Sequence, residues 1–593
     1  MRTTGFADST AITTKKQDTM ANLFSDNPDL AAQLDSVDLH DVVSLMENDF
    51  QGNDSDDFVF PAPSSLDDAL EFFAASLDLL GDISANVIAP HRQSVDREGT
   101  LLEDGVVTYA EGTRIAVEAL SESGFMGAML PRAYGGAGVP ATIYMMMIEL
   151  VSRADASMMT LFGYQDVGEL IARFGTDEQR QEFLPGLASG EKIGSIVLSE
   201  PGAGSDLQAI KVKAFEDENG QWRLNGTKHF ISNGCGDVLM VLARSEPKIS
   251  NIFGLSLFVC PKSDAVKVIR VEDKMGLHGS PTCELFFDDA PVQLVGKRKA
   301  GLTSYVLENL AQARFSVAAQ ALGIAEEAYQ RALAYAGERV QFGTTIIDFP
   351  AVRELLDKMS LAITSSRALL YDSIIWLDRK VQIAEAIAHG RVAEDDIPAM
   401  KARQREAAKY SNLLSPLVKY VITEKAQQVC LDAQQVFGGL GFVRDTGMEQ
   451  LVRDVRITTI YEGTSQVQVS ASLKYIMSDT LADLLDASEA LPCPDDCDDI
   501  RSMIIENRRL YEQYRDTVSG KESPKLAEAA ARDLADIYSQ VFGAWALLRR
   551  VNGDAGRRAA LRRYVVEAQA FATGRLNALQ NGSYDGWLNE SDT

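Results

Sequence analysis

The stretch IKVKAFEDENGQWRLNGTKHFI, residues 210–231, decides the fold. Two short apolar-alternating runs, 210–215 and 221–224, flank Glu216-Asp217-Glu218-Asn219-Gly220, and Asn225-Gly226 offers a second turn into 227–231. Short strands punctuated by Asn-Gly turns predict antiparallel sheet, because those residues reach the positive φ that tight turns require. Further apolar runs at 238–243, 255–259 and 266–271 extend this into an antiparallel β-domain over 193–300.

On either side the period changes from two to three or four. Residues 61–192 read as helices, one of them opened by Ser65 with Asp67 and Asp68 in its first turn. After 301, Leu322, Ala325, Tyr329, Ala332 and Ala336 recur as a buried helix face does, and long helices continue over 301–478. Leu491-Pro492-Cys493-Pro494 breaks the pattern, and a further helical domain fills 479–593. Its stripe of Leu526, Ala530, Leu534, Ile537, Val541, Trp545 and Leu548 suits packing in a bundle. Residues 1–60 form an acidic segment: a polar tail to 19, with Met20 an equal candidate start, then a helix and linker carrying Leu39, Val42, Val43 and Leu45. The class is α+β: helical, β, helical, with an appended helical domain.

Composition excludes several functions. The 593 residues carry 57 Lys+Arg against 85 Asp+Glu, a net charge of −28, so binding to nucleic acid is not expected. Residues 1–60 alone hold three basic and twelve acidic residues. Six cysteines in so long a chain suit a reducing compartment, not a disulfide framework. No apolar run approaches the roughly 20 residues of a membrane span, and no hydrophobic leader stands at the start, so a cytoplasmic protein is expected.

The chemistry concentrates in a few motifs. LSEPGAGSDL at 198–207 is a glycine-rich loop that lets backbone N–H groups approach a phosphate or flat ring; no βαβ unit surrounds it, so it is not a dinucleotide fingerprint. GTKHFISNG follows at 226–234, then AQARF at 311–315, ERVQFG at 338–343, QQVFGGLGF at 434–442, Arg453-Asp454, and IYEGTSQ at 460–466. In this order the motifs resemble the acyl-CoA dehydrogenase family over about residues 66–478, and the resemblance implies that the antiparallel β-domain is barrel-like and that the helices of 301–478 form a four-helix bundle.

The resemblance implies FAD as cofactor and removal of an α-proton by a carboxylate while the flavin takes the β-hydride to give a trans-2-enoyl-CoA. Glu462 matches the base. It lies on an apolar-flanked turn before a helix cap, Thr464, and a dry site would raise its basicity. Some members place the base one residue before the arginine of AQARF; here that residue is Ala313, which cannot serve. The Glu462 N–H, with a ribityl hydroxyl of FAD, would hold the thioester carbonyl. Ser205, Arg314, Tyr461 and Gly463 match substrate-binding positions. Ile196, Leu198, Ser199, Gly204, Ser205, Phe230, Ile231 and Ser232 would line the flavin, Ser199 and Ser232 replacing the usual Thr and Phe230 the usual Trp or Tyr. Arg339, Gln341 and Phe342, with Gln435, Val436, Gly438 and Gly439, would reach the pyrophosphate and adenine of the FAD in a neighbouring subunit, and Thr464 and Gln466 would complete the site. The family implies a homo-oligomer, dimer or dimer of dimers, working in fatty-acid β-oxidation and passing electrons to an electron-transfer flavoprotein. Oxidase-type chemistry with O₂ as acceptor, and a non-catalytic scaffold, are the alternatives; aerobic peroxide formation and bound flavin separate them.

In SRADASMMT, 152–160, Met159 takes the place of the Arg that dicarboxyl-CoA members use, so a mostly apolar acyl tail is expected. MGLHGSPTC at 275–283 and the C-terminal extension resemble the large bacterial members that include methylmercaptopropionyl-CoA enzymes, though the insertions of that type after Phe342 are absent; the length also resembles the very-long-chain enzymes. His278 is read as structural rather than as a substrate contact. Cys493 and Cys497 lack partner ligands, the five histidines are scattered, and no metal is expected. Arg549, Arg550, Arg557, Arg558, Arg562 and Arg563 are read as a helix face paired with acids, in preference to a membrane-surface patch.

Overall fold

The computed structural model describes residues 22–51, 59–478, 480–584 and 586. The polar tail to residue 19 lies outside them. Two short helices, α1 (Pro28–Ser36) and α2 (His40–Met46), stand where a single helix is expected. The N-terminal helical domain follows: α3 (Leu66–Ile83), α4 (Arg92–Glu98), α5 (Glu111–Glu122), α6 (Ala141–Ala154), α7 (Met159–Phe162), α8 (Gln165–Phe174) and α9 (Asp177–Ser189). Ser65 caps α3 through Asp68 N, and Thr176 and Gln179 form a reciprocal capping box on α9. A small hairpin, β1 (Leu101–Glu103) and β2 (Val106–Thr108), interrupts the helices. The sequence reading had no strand there, since three-residue strands carry too short a period to register.

The helical run 66–98 is long and apolar enough by composition to cross a membrane, against the sequence expectation of no such segment. In the fold its Phe73, Leu77 and Leu80 are buried in the main core, and acids at 67, 68, 71, 78 and 82 break the run in sequence.

The β-domain holds β3 (Gly194–Val197), β4 (Lys213–Glu216), β5 (Trp222–Ser232), β6 (Val238–Arg244), β7 (Leu255–Pro261), β8 (Val266–Val271), β9 (Thr282–Pro291) and β10 (Gln293–Val295) in the order β10-β7-β6-β4-β5-β9-β8, with β3 beside β6. The pairs are antiparallel except β3–β6 and β4–β6, which are parallel, so the sheet is mixed where an antiparallel one is expected. Along β6, Val238, Met240 and Leu242 pack toward α8 and α9, while Leu239, Val241 and Ala243 enter a second core against β7 and β9. Both faces are thus covered.

One expected turn is absent. Asn225-Gly226 lies inside β5, which runs unbroken from Trp222 to Ser232 opposite β9 with a register shift between Leu224 and Gly226. Gly226, at φ +135°, makes a bulge: a Cβ there would meet Val212 Cγ2 at 3.0 Å. Asn-Gly reads alike for both geometries; only the partner strand separates them.

The bundle is built from α10 (Leu307–Glu338), α11 (Pro350–Ala388), α12 (Ile397–Phe437), α13 (Met448–Arg456) and α14 (Ser465–Ile476), with a two-residue hairpin, β11 (Val340–Gln341) and β12 (Thr344–Thr345), after α10. Asp378 of α11 caps α6, accepting from Ala141 N at 2.8 Å and Thr142 N at 2.9 Å, and so fixes the N-terminal domain on the bundle. The appended helices are α15 (Thr480–Glu489), α16 (Asp498–Ser519), α17 (Pro524–Leu548) and α18 (Ala555–Gln580); the α17 stripe is buried in the same core as the bundle. Arg549 and Arg550 pair with Asp372 of α11, Arg558 with Asp496, Arg562 with Asp499, and Arg563 with Glu354 and Glu567. Arg557 donates to the Arg550 carbonyl at 3.1 Å.

Candidate active site

Glu462 sits on the turn between α13 and α14, ahead of Thr464, whose hydroxyl accepts from Val467 N and opens α14. Its φ is +53°, in the left-handed region that a side-chain-bearing residue enters only when its surroundings impose it, and Gly463 follows at +94°. Lys419 of α12 donates to the Gly463 carbonyl at 2.7 Å; the Gln468 amide donates to the Glu462 and Gly463 carbonyls at 2.9 and 3.0 Å. Just before Glu462, Tyr461 donates its hydroxyl to Gln320 of α10 and lies 3.9 Å from Met159 Sδ.

Two domains converge on this carboxyl. Arg314 of α10 and Lys419 of α12 interact with it electrostatically from the bundle, and Tyr164 and Asp166 do so from the N-terminal domain. Ser232, at the end of β5, neighbours Tyr164 and partly offsets the rise that burial gives its phenol. The Glu462 side chain is exposed at the mouth of the site, yet protein packed around it thins the surrounding water. Burial therefore raises its carboxyl above the usual range, while Lys419 and Arg314 pull the other way. Burial lowers both cations, Lys419 to about 8. The Arg314 Nε is buried without a hydrogen-bond partner.

The loop 198–205 is pinned from beneath. Lys228, fully buried in β5, donates to the Leu198 carbonyl at 2.7 Å and pairs with Glu200 at 3.0 Å, and Glu200 also accepts from Lys211 N and Val212 N. Ser199, Gly204 and Ser205 are thereby left on the accessible rim, with nothing within 4 Å of a Cβ built on Gly202 or Gly204. Phe230, at φ +59°, is thrown out of β5 by a register shift between Lys228 and Ile231 and is 63% exposed. Leu198, Ile231 and Val436 turn their side chains into the cores, which leaves their backbone to face a ligand.

Of the other predicted cofactor residues, Thr464 and Gln466 stand at the start of α14 beside Glu462, and the rest gather at the far ends of α10 and α12, joined by the stacked rings of Tyr335 and Phe437, 4.3 Å apart. Arg339, Gln341, Phe342, Gln435, Gly438 and Gly439 are exposed there. Open glycine backbone at 202, 204, 438 and 439, an outward aromatic ring and a buried orphan guanidinium nitrogen fit a large flat cofactor with a phosphate arm.

Sequence reading missed Lys419, Gln468, Tyr164 and Gln320. The signal for Lys419 was a lone cation in the apolar run 413–422. His278 bridges Asp96 and the Lys274 carbonyl, a structural position. The histidines are less isolated than their spacing suggests: His229, Glu272 and Glu284 bring ligand atoms within 4.8 Å of one another. Arg270 already occupies that cluster, 2.7 Å from Glu272 and 3.0 Å from His229.

Family models for the acyl-CoA dehydrogenase N-terminal, middle and C-terminal domains match residues 76–191, 195–290 and 301–477. The 3-methylmercaptopropionyl-CoA dehydrogenase of Ruegeria pomeroyi is 34% identical over 435 residues, 68% of this chain and 70% of that one. The chain belongs to the acyl-CoA dehydrogenase family. It is an oxidoreductase acting on acyl-CoA. An acyl-CoA dehydrogenase of Bacillus subtilis is 34% identical over 371 residues, 61% of this chain and 90% of that one. Among solved structures, the butyryl-CoA dehydrogenase of Megasphaera elsdenii matches with a TM-score of 0.58 at 28% identity, covering 69% of this chain and 98% of that one. An acyl-CoA dehydrogenase of Bacillus anthracis, complexed with FAD, matches at 0.70 and 21% identity over 88% of each chain; its fold reaches into the appended domain that the family models leave out.

Proposed function

We propose that this acyl-CoA dehydrogenase binds FAD and oxidises an acyl-CoA with a mostly apolar tail to the trans-2-enoyl-CoA, Glu462 removing the α-proton. The observation that carries the reading is the convergence of Tyr164 and Asp166 from the N-terminal domain with Arg314 and Lys419 from the bundle, around a carboxyl that desolvation makes more basic. FAD, when bound, supplies the acceptor for the β-hydride. Ser199, Ser205, Ser232 and Phe230 would face its ring system, and the Glu462 N–H would polarise the thioester carbonyl and so acidify the α-carbon. Met159 beside Tyr461, both partly or fully enclosed, supports an apolar wall without a cation for a distal carboxylate.

A homodimer is supported by the apolar end of the bundle: Phe342 is 96% and Phe442 84% exposed, next to Arg339 and Gly438. Electrons would leave to an electron-transfer flavoprotein; a chain described with the electron transferring flavoprotein of Acidaminococcus fermentans matches at a TM-score of 0.59 and 30% identity, covering 69% of this chain and 98% of that one. Six free cysteines accord with a reducing, cytoplasmic setting and a place in fatty-acid β-oxidation. The test is anaerobic flavin bleaching across a panel of acyl-CoAs. Glu462→Gln should abolish it with flavin still bound, and retained bleaching would refute the assignment.

A further inference from the structure

A buried ammonium beside a catalytic base calls for a reason, because an apolar side chain of equal length would fill the same space without desolvating a charge. Lys419 is fully buried in an apolar stretch of α12, and it donates to the Gly463 carbonyl 44 residues away at 2.7 Å. The Gln468 amide, in the first turn of α14, donates to the same carbonyl and to that of Glu462. Two consecutive carbonyls are therefore gripped from two helices, at the point where the chain passes through φ +53° and +94°. Such a conformation persists where its surroundings over-determine it. Thr464 caps α14 just beyond, and Tyr461 is tied to Gln320 just before, but neither touches the two peptides that carry the positive φ.

We propose that Lys419 is a positioning residue for the base: with the Gln468 amide it clamps the 462–463 backbone in its left-handed turn, and with Arg314 it sets the positive charge against which Glu462 ionises. This rests on the reading of Glu462 as the base. The two parts separate by residue. Gln468 contributes hydrogen bonds and no charge; Lys419 contributes both. Around Lys419 the charged groups are Glu462, Arg314 and Glu424; around Glu462 they are Lys419 and Arg314, with Tyr461, Tyr164 and Asp166 as further titratable neighbours. Removing one of two cations leaves the carboxylate less favoured, so the pH midpoint for flavin reduction must rise.

The experiment compares the FAD-loaded wild type with Lys419→Met and Gln468→Leu. Both variants should slow flavin reduction by an acyl-CoA, on the order of 10²-fold for a base misplaced by about 1 Å, with acyl-CoA affinity little changed. Lys419→Met should move the pH midpoint upward and Gln468→Leu should leave it in place. Both should speed hydrogen–deuterium exchange in the peptide 460–466, which needs no turnover. Should Lys419→Met not fold, Lys419→Gln, which drops the charge and keeps a donor, carries the pH test and Gln468→Leu the exchange test. Unchanged exchange in either folded variant overturns the clamp; an unmoved midpoint in the neutral Lys419 variant overturns the charge role. If no acyl-CoA bleaches the wild-type flavin, the acyl-CoA reading fails while the exchange result still decides the clamp.

Discussion

His278 should make stability fall as pH rises above neutrality. Its Nδ1 stands 2.8 Å from an Asp96 carboxylate oxygen and 3.0 Å from the Asp96 carbonyl, and its Nε2 stands 2.7 Å from the Lys274 carbonyl. Both ring nitrogens face acceptors, and a neutral imidazole has one N–H, so the geometry requires the imidazolium. The Asp96 hydrogen bond leads in raising its pKa to about 9, against 6.5 for an unperturbed ring. A group raised on folding contributes fully below its unfolded pKa and loses that contribution as pH climbs through the folded one, here between 6.5 and 9. At about 1.4 kcal/mol per pH unit the ceiling is about 3 kcal/mol. The side chain is 28% exposed, and Arg453 shares Asp96, so screening leaves about 1–2 kcal/mol. The assay is urea unfolding of wild type and His278→Gln at intervals from pH 5.5 to 9.5. The difference between them should shrink by about 1–2 kcal/mol across the window. Parallel profiles would refute the latch.

Two further outcomes follow from the packing. Asp378→Ala removes three bonds to the start of α6, at 2.6–2.9 Å, and should cost about 2 kcal/mol with a fall of a few degrees in thermal unfolding, the upper end for a lost cap. Phe342→Asp puts a charge on the exposed apolar end of the bundle; if that end is the subunit contact, sedimentation should show monomer, and FAD content should fall with it.

What could be read beforehand follows the range of the interactions. The helical and β segments were legible because a period of 3.6 or 2 is written in neighbours, and Asp217–Gly220 does form the turn between β4 and β5. Asn225-Gly226 was misread because a bulge and a turn share one local signature and differ only in the partner strand. Glu462 was legible as part of a motif. Lys419 was not assigned to its site, since its role depends on a contact spanning 44 residues. The same holds for the C-terminal arginines: that they pair with acids could be read from helix charge, but Asp372, 177 residues from Arg549, could not be named.

The appended domain bears on the proposed base, Glu462. Glu424 of α12 accepts from Ser465 Oγ, the first residue of α14, at 2.6 Å, and from Arg532 of α17 at 3.2 Å. One turn earlier, Tyr420 donates to Asp536 of α17 at 2.9 Å and lies under the Arg532 guanidinium. Lys419 and Tyr420 are adjacent, so the backbone that holds the buried ammonium against Gly463 is held from its other side by α17. A rigid catalytic turn needs support behind its hydrogen-bond donors, and here that support comes from residues beyond the three-domain unit. The −28 charge stays outside this arrangement: around Glu462 the chain sets two cations against its general acidity, and the ionisation of the base follows that local balance, not the net charge.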